Sequence, residues 1–463
     1  MEKTAKKHYF NMTEGSIWKS LLLFSVPLVI SQVLQVLFNM ADLAVVGRYS
    51  GSADLGSVGS TTILVVLFTG FLIGMGSGVN VRVAVHLGEK NDKDVSEAVH
   101  TSLVLCTAAG VIIMLICLFG ATLLLSVLNT KDELMAGAVL YFRLYAIGMP
   151  ALGIFNFGNG VLSAEGDTRR PLAYLTAAGV LNIGLNLIFV LVLKMSVAGV
   201  ALASVISQYL SAALILIRLF KEKGPCGLRL KKIRLYKGKC GKILTIGVFS
   251  GLQNAIFQLA NLFIQASVNS FDAVMVEGNS AAANADALVY NVMAAFYTGC
   301  STFMGQNLGA GNRKRTLKSY YVGLTYSFGI AALLGGLLIL FGDDFLYLFT
   351  KDAEVVEAGL TRLRIMAVSY AISAFMDCTI AASRGINKTA VPTVIVILGS
   401  CVFRVIWVYT VFAHYHTIFS LYLLYAFSWT ITSVAEIVYF IFAFKKVKFV
   451  PPQPAETLEQ TVA

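Results

Sequence analysis

The chain has 463 residues, 57% of them hydrophobic and only 13% charged, with a mean hydropathy of +0.76, which excludes a soluble domain with a charged surface and leaves an integral membrane protein. Its net charge of +11 needs no nucleic-acid partner, because the bases fall in short connecting segments where membrane topology alone places them. The seven cysteines show no CxxC or metal-ligand spacing and read as reduced, packed thiols.

Residues 1–16 form a short leading segment with Lys3, Lys6 and Lys7. Twelve apolar stretches follow, each of roughly 20 residues or more and long enough to cross a bilayer. They lack the short alternation of a membrane barrel, so an all-α fold is expected. The first six, over 17–220, run Ile17 to Val46, Thr61 to Val85, Ala98 to Leu128, Ala136 to Phe157, Leu172 to Leu193 and Ala198 to Leu219. The first stretch is too long for a cleaved signal sequence and is expected to stay as a span. It contains Pro27, which predicts a bend, and a polar stripe of Gln32, Gln35, Asn39 and Asp42 at helical spacings of three and four. Burying a carboxylate in lipid costs on the order of 3 kcal/mol, so Asp42 is expected to face water or protein and to carry ion coupling; capping of the helix end is the plainer alternative. In the second stretch Gly70, Gly74 and Gly78 repeat every four residues and predict close helix packing rather than a hinge. Asn156, between Phe155 and Phe157 in the fourth, is a candidate cavity residue.

Residues 221–241 form a linker dense in lysine and arginine with the single acid Glu222. Positive loops stay in the cytoplasm, which predicts both termini inside, and this stretch can also touch anionic lipid heads. The second six stretches, over 242–444, run Ile243 to Val268, Ala282 to Met304, Leu317 to Phe341, Ala358 to Ile380, Val391 to Val411 and Ile418 to Phe444, with a tail at 445–463. Asn254, Gln258, Asn261 and Gln265 share one face of the seventh span, read as cavity lining or as interhelical packing. Asp286 and Asp377 fall near predicted span ends, where capping or solvated roles are expected, and Arg404 is the only deep base, expected to pair with an acid, a carbonyl or a wet crevice.

The two halves repeat in fixed register. Leu87-Gly88 returns as Leu308-Gly309, Thr168 as Thr389, Pro171 as Pro392 and Ser207 as Ser428, each 221 residues on. Such a doubled membrane chain is the usual architecture of a transporter, whose halves rock about a site between them.

The octet Ala164-Glu165-Gly166-Asp167-Thr168-Arg169-Arg170-Pro171, following Asn159-Gly160, resembles the loop between the fourth and fifth spans of the multidrug and toxic compound extrusion (MATE) family. Pro27 with Asp42 and Gly47, Gln306 with Leu308-Gly309-Ala310-Gly311, and Arg404 with Tyr409 agree with it. The resemblance runs from about Ile17 to Phe444 and implies two six-helix lobes, a central cavity, and export of bulky, often cationic drugs against inward proton or sodium flow in the cell membrane. It also implies that Asn182, Asn186 and Ser204 join Asp42 in a cation site, though Asn182 and Asn186 also suit a plain interhelical pair. Asn186 stands where the family often has aspartate, and the seventh span lacks the acid of some branches, so a multi-acid proton relay is not expected. In physical terms the octet offers a tight turn, with Asp167 or Thr168 accepting from backbone donors.

A flippase for lipid-linked sugars shares this architecture but would favour a basic cavity. An enzyme is not expected: there is no HExxH, GxSxG or Walker loop, and His414 and His416 alternate rather than share a helix face, so neither a metal nor a cofactor beyond the coupling ion is predicted. A channel would show passive flux without coupling. The chain is expected to act as a monomer.

Overall fold

The computed structural model describes residues 12–450; Lys3, Lys6, Lys7 and His8 and the tail beyond residue 450 lie outside the described residues. No strand occurs among the described residues. The helices of the first half are α1 (Ile17–Tyr49), α2 (Ser52–Gly88), α3 (Asp92–Val127), α4 (Asp132–Ala146), α5 (Met149–Glu165), α6 (Arg169–Leu187) and α7 (Ser196–Lys221). Those of the second are α8 (Lys237–Val268), α9 (Ala273–Gly309), α10 (Arg313–Leu340), α11 (Gly342–Tyr347), α12 (Ala353–Gly385), α13 (Ala390–Val396), α14 (Phe403–Trp407), α15 (Ala413–Tyr415) and α16 (Ile418–Lys445).

Ten helical segments are long and apolar enough to cross a bilayer, and α4 with α5, bent by 44°, makes an eleventh. The bend falls at Gly148, where a Cβ would lie 1.8 Å from Gln208 Oε1, and Pro150 sits in the first turn of the next helix. α9 is more polar, but its 37 residues extend about 55 Å at 1.5 Å per residue, enough for the twelfth crossing. α1 runs through Pro27 as one helix. The fifth span continues past α6 as a π-helical turn, Ile188–Val192, and α13 to α15 are one span interrupted by π turns at Ile397–Val402 and Val408–Phe412.

Each half has its own core, with Met75, Val79 and Phe157 in the N-lobe and Tyr370, Tyr422 and Trp429 in the C-lobe. The lobes cross-pack, α2 against α8 and α9 against α1. The predicted glycine stripe makes the first contact possible. A Cβ on Gly74 would lie 2.2 Å from the Gly251 nitrogen, and one on Gly78 2.7 Å from that of Gly247. At the end of the lobes that bears the basic linker, a Cβ on Gly88 would meet Gln306 O at 2.0 Å and one on Gly309 would meet Val85 O at 2.0 Å. Val85 and Gln306 are themselves 221 apart, so this contact repeats the duplication in space. Polar ties reinforce it: the Thr302 hydroxyl donates to Asn80 Oδ1 at 2.8 Å, Arg82 to Asn387 Oδ1 at 3.0 Å and Gln306 Nε2 to Ala164 O at 2.6 Å, while Lys239 pairs with Asp94 at 2.8 Å.

The motif loop is a turn. Gly166, at φ +92°, ends α5, and Asp167 Oδ1 accepts from the Arg170 N–H at 3.2 Å. Thr168 does not cap; its hydroxyl donates to Phe24 O at 2.9 Å, tying the loop to α1.

Candidate cation and substrate site

Gln35, Asn39 and Asp42 emerge from α1 into a cavity of about 440 Å³ lined mostly by the N-lobe. Asn156 of α5, Asn182 of α6 and Ser204 of α7 line it as well. Three of the four stripe residues on α1 thus turn to a cavity, and Gln32 is not among its lining residues.

Asp42 is the centre of a closed polar ring. Asn186 Nδ2 donates to Asp42 Oδ1 at 2.5 Å and to Asn182 Oδ1 at 3.3 Å. Asn182 Nδ2 donates to Ser204 Oγ at 3.4 Å, and that hydroxyl donates to Asp42 Oδ2 at 3.4 Å. The four residues that the resemblance singled out therefore meet through hydrogen bonds. Asn186 is 0% exposed and its Oδ1 is buried without a partner among the described residues. A carboxylate, two carboxamide oxygens and a hydroxyl form a hard oxygen set of the kind that suits a proton or an alkali cation and not a soft metal.

Tyr141 and Tyr145, stacked at 5.9 Å, also line the cavity, as does Asn291 of α9. Sequence reasoning missed all three. The tyrosines' spacing of four was the available signal, but within an apolar run it reads as packing.

The seventh-span stripe lies elsewhere, and none of its four members lines this cavity. Asn254 Nδ2 donates to Gly70 O at 3.0 Å across the lobe boundary, Gln258 is half-buried, and Asn261 accepts from Arg404 at 3.4 Å. Gln265 donates to Asn269 at 2.9 Å and accepts from Asn279 at 3.2 Å.

Two expectations are corrected. Asp286 sits well inside α9, where Arg362 donates to it at 2.5 Å and Tyr370 donates to its other oxygen; Arg362 also donates to Asn279 Oδ1 at 2.7 Å. Arg404 is therefore not the only deep base. It pairs with no acid among the described residues: it is 2% exposed, donates to the Ser428 hydroxyl at 3.3 Å, and lies 4.6 Å from the Tyr425 ring and 5.6 Å from that of Trp429.

His86, Glu89 and Asp94 bring ligand atoms within 4.8 Å of one another, but two cations already serve them. Arg82 Nη2 lies 3.0 Å from His86 Nε2, and Lys239 holds Asp94. His86 Nδ1 is 2.6 Å from Glu89. Burial alone would raise the Glu89 carboxyl, but the hydrogen bond and charge of His86, with the charge of Arg82, outweigh it and hold the group below its usual range.

The sequence model of the family described as MatE matches residues 27–188 and again 250–410. The chain is 28% identical to the "Probable multidrug resistance protein YpnP" of Bacillus subtilis (strain 168), over 78% of this chain and 81% of that one. It is 24% identical to a protein of Shewanella oneidensis described as "FAD transporter", over 76% and 78%. Its fold superposes on the crystal structure of a MATE in complex with MaL6 with a TM-score of 0.88, 22% identity, and coverage of 95% and 99%.

Proposed function

Because the chain belongs to the MatE family, a family of membrane transporters, we propose that it is a secondary active exporter that uses Asp42 to exchange a proton or sodium ion for a bulky organic cation. The observation that carries this reading is the ring of Asn182, Asn186 and Ser204 closed on a half-buried carboxylate at a cavity wall. An ionised Asp42 attracts a cationic solute into the cavity, where the Tyr141 and Tyr145 faces add cation–π attraction. A proton or sodium ion taken up by the same carboxylate cancels that attraction and frees the solute. Each charge moving down about 100 mV supplies about 2.3 kcal/mol, a gradient of roughly fiftyfold, when the exchange moves net charge.

With the basic linker end in the cytoplasm, both termini are cytoplasmic and the closed seam faces inward, so the cavity belongs to the releasing state. The lobes act as two rocking bodies, 17–220 and 242–444, and one chain supplies the whole site, consistent with a monomer. A lipid-linked sugar flippase is disfavoured, because the cavity wall carries an acid while Arg362 and Arg404 lie buried in the C-lobe. The Shewanella relative's description widens the range of substrates to consider, but the acid favours cations.

The test is transport in vesicles with pH and sodium gradients imposed separately. Uphill movement of a cationic dye under one of them is expected, abolished by Asp42→Asn at unchanged protein amount. Passive flux indifferent to both gradients, or full coupling by Asp42→Asn, refutes the reading.

A further inference from the structure

The segment joining the lobes, residues 222–236, does not hang free. Leu228 N–H donates to Leu219 O at 2.9 Å, Arg229 N–H to His100 Nε2 at 2.9 Å, and Tyr236 N–H to the Thr101 hydroxyl at 3.2 Å. Its own Cys226 and Leu228 are buried in the N-lobe core. These anchors set its depth. His100 lies eight residues from the start of α3 at Asp92, about 12 Å along the axis at 1.5 Å per residue, and Leu219 belongs to the last turn of α7. The segment therefore runs alongside the ends of the third and sixth apolar stretches, at Ala98 and Leu219, where a bilayer's headgroup zone is expected.

Between the anchors, Leu230 is 76% exposed and Leu235 52%, interleaved with exposed Lys231, Lys232 and Arg234. The backbone is held on both sides of them at Arg229 and Tyr236, and Ile233 between them packs on the N-lobe core while the leucines face outward. Membrane topology explains the bases there but not exposed leucines between them. Apolar side chains alternating with cations at this depth are the pattern of an interfacial element.

We propose that this segment is a lipid-binding belt, with Leu230 and Leu235 entering the acyl boundary and Lys231, Lys232 and Arg234 binding the headgroups of acidic phospholipids. Each base near an anionic surface favours it by a factor of about five. The belt rests on the chain's membrane insertion and not on its coupling chemistry, so it stands or falls apart from the transport reading.

The full chain carrying Leu235→Trp, in vesicles of phosphatidylcholine and phosphatidylglycerol with one or the other brominated on its acyl chains, reads this out. The fluorescence of native Trp18, Trp407 and Trp429 is subtracted using the unsubstituted chain. The added tryptophan is expected to emit at short wavelength and to be quenched more by brominated phosphatidylglycerol than by brominated phosphatidylcholine at equal mole fraction. Lys231→Gln, Lys232→Gln and Arg234→Gln together are expected to erase that difference while leaving the quenching. Water-like emission unquenched by either lipid overturns the placement, and equal quenching by both overturns the headgroup preference. Loss of the preference on adding inorganic phosphate assigns the bases to a free anion instead and overturns the lipid.

Discussion

Asp286 and Arg362 are 76 residues apart and make a buried ion pair in the C-lobe, with Tyr370 donating to the other carboxylate oxygen and Asn279 accepting from the guanidinium. Removing one partner leaves the other charged and buried, which costs about 3–5 kcal/mol, more than the pair itself contributes. Asp286→Asn is therefore expected to lower the melting temperature of the detergent-purified protein sharply, and adding Arg362→Gln to recover part of the loss; equal stability of Asp286→Asn and the parent rules this out. Asp42 was legible in the sequence because its neighbours Gln35 and Asn39 lie on the same helix face, and spacing of three and four is a local signal. Arg362 was not, because what makes it structural is a partner on another helix, and no spacing along one span reveals that.

The helices themselves were legible as apolar runs, and their lengths were not. α2 begins at Ser52 and ends at Gly88, well outside the apolar core at Thr61 to Val85, because helical hydrogen bonding continues into the headgroup zone after hydropathy has faded. At the linker end the residues past the apolar runs, Gly88 on α2 and Gln306 and Gly309 on α9, carry the seam between the lobes. Val in place of Gly309 would press a side chain onto the Val85 carbonyl and wedge α9 from α2, so Gly309→Val is expected to widen the separation of spin labels placed across the linker end; an unchanged distance distribution counts against the seam as a closed gate. The same end has a pH signature. Glu89 has a lowered value in the folded protein, so its contribution to stability is fully present above the ordinary glutamate range and is lost as pH falls through the lower, folded-state value. Glu89→Gln is expected to flatten the acid side of the melting-temperature profile, and a parallel, uniformly shifted profile would show that His86 and Arg82 do not act through this carboxyl.

The duplication makes the lobes alike in frame, but at corresponding places on the fifth and eleventh spans they carry different chemistry. The π turns of the fifth and eleventh spans, Ile188–Val192 and Val408–Phe412, start 220 residues apart, so the irregular backbone beside the N-lobe ring has a counterpart in the C-lobe. At the repeat spacing of 221, Asn182 falls on Phe403, one residue short of Arg404, and Ser204 falls on Tyr425. Where the N-lobe sets the Asn186 amide and the Ser204 hydroxyl against the Asp42 carboxylate, the C-lobe holds a guanidinium 4.6 Å from the Tyr425 ring. A guanidinium is a donor only, so this half presents N–H groups where the other is proposed to hold an exchangeable cation. The repeat was readable from the sequence, but this difference was not, since it appears only when Arg404 and Tyr425 are seen to meet. Asn186→Leu removes an oxygen and a donor from the Asp42 ring and is expected to raise the concentration of coupling cation needed for half-maximal transport. Arg404→Gln acts on a separate cluster and is expected to leave that concentration within about twofold of the parent while lowering thermal stability. Vesicle transport titrated with the coupling cation separates the two, and a shift as large in Arg404→Gln as in Asn186→Leu would mean that both lobes bind the exchanged ion.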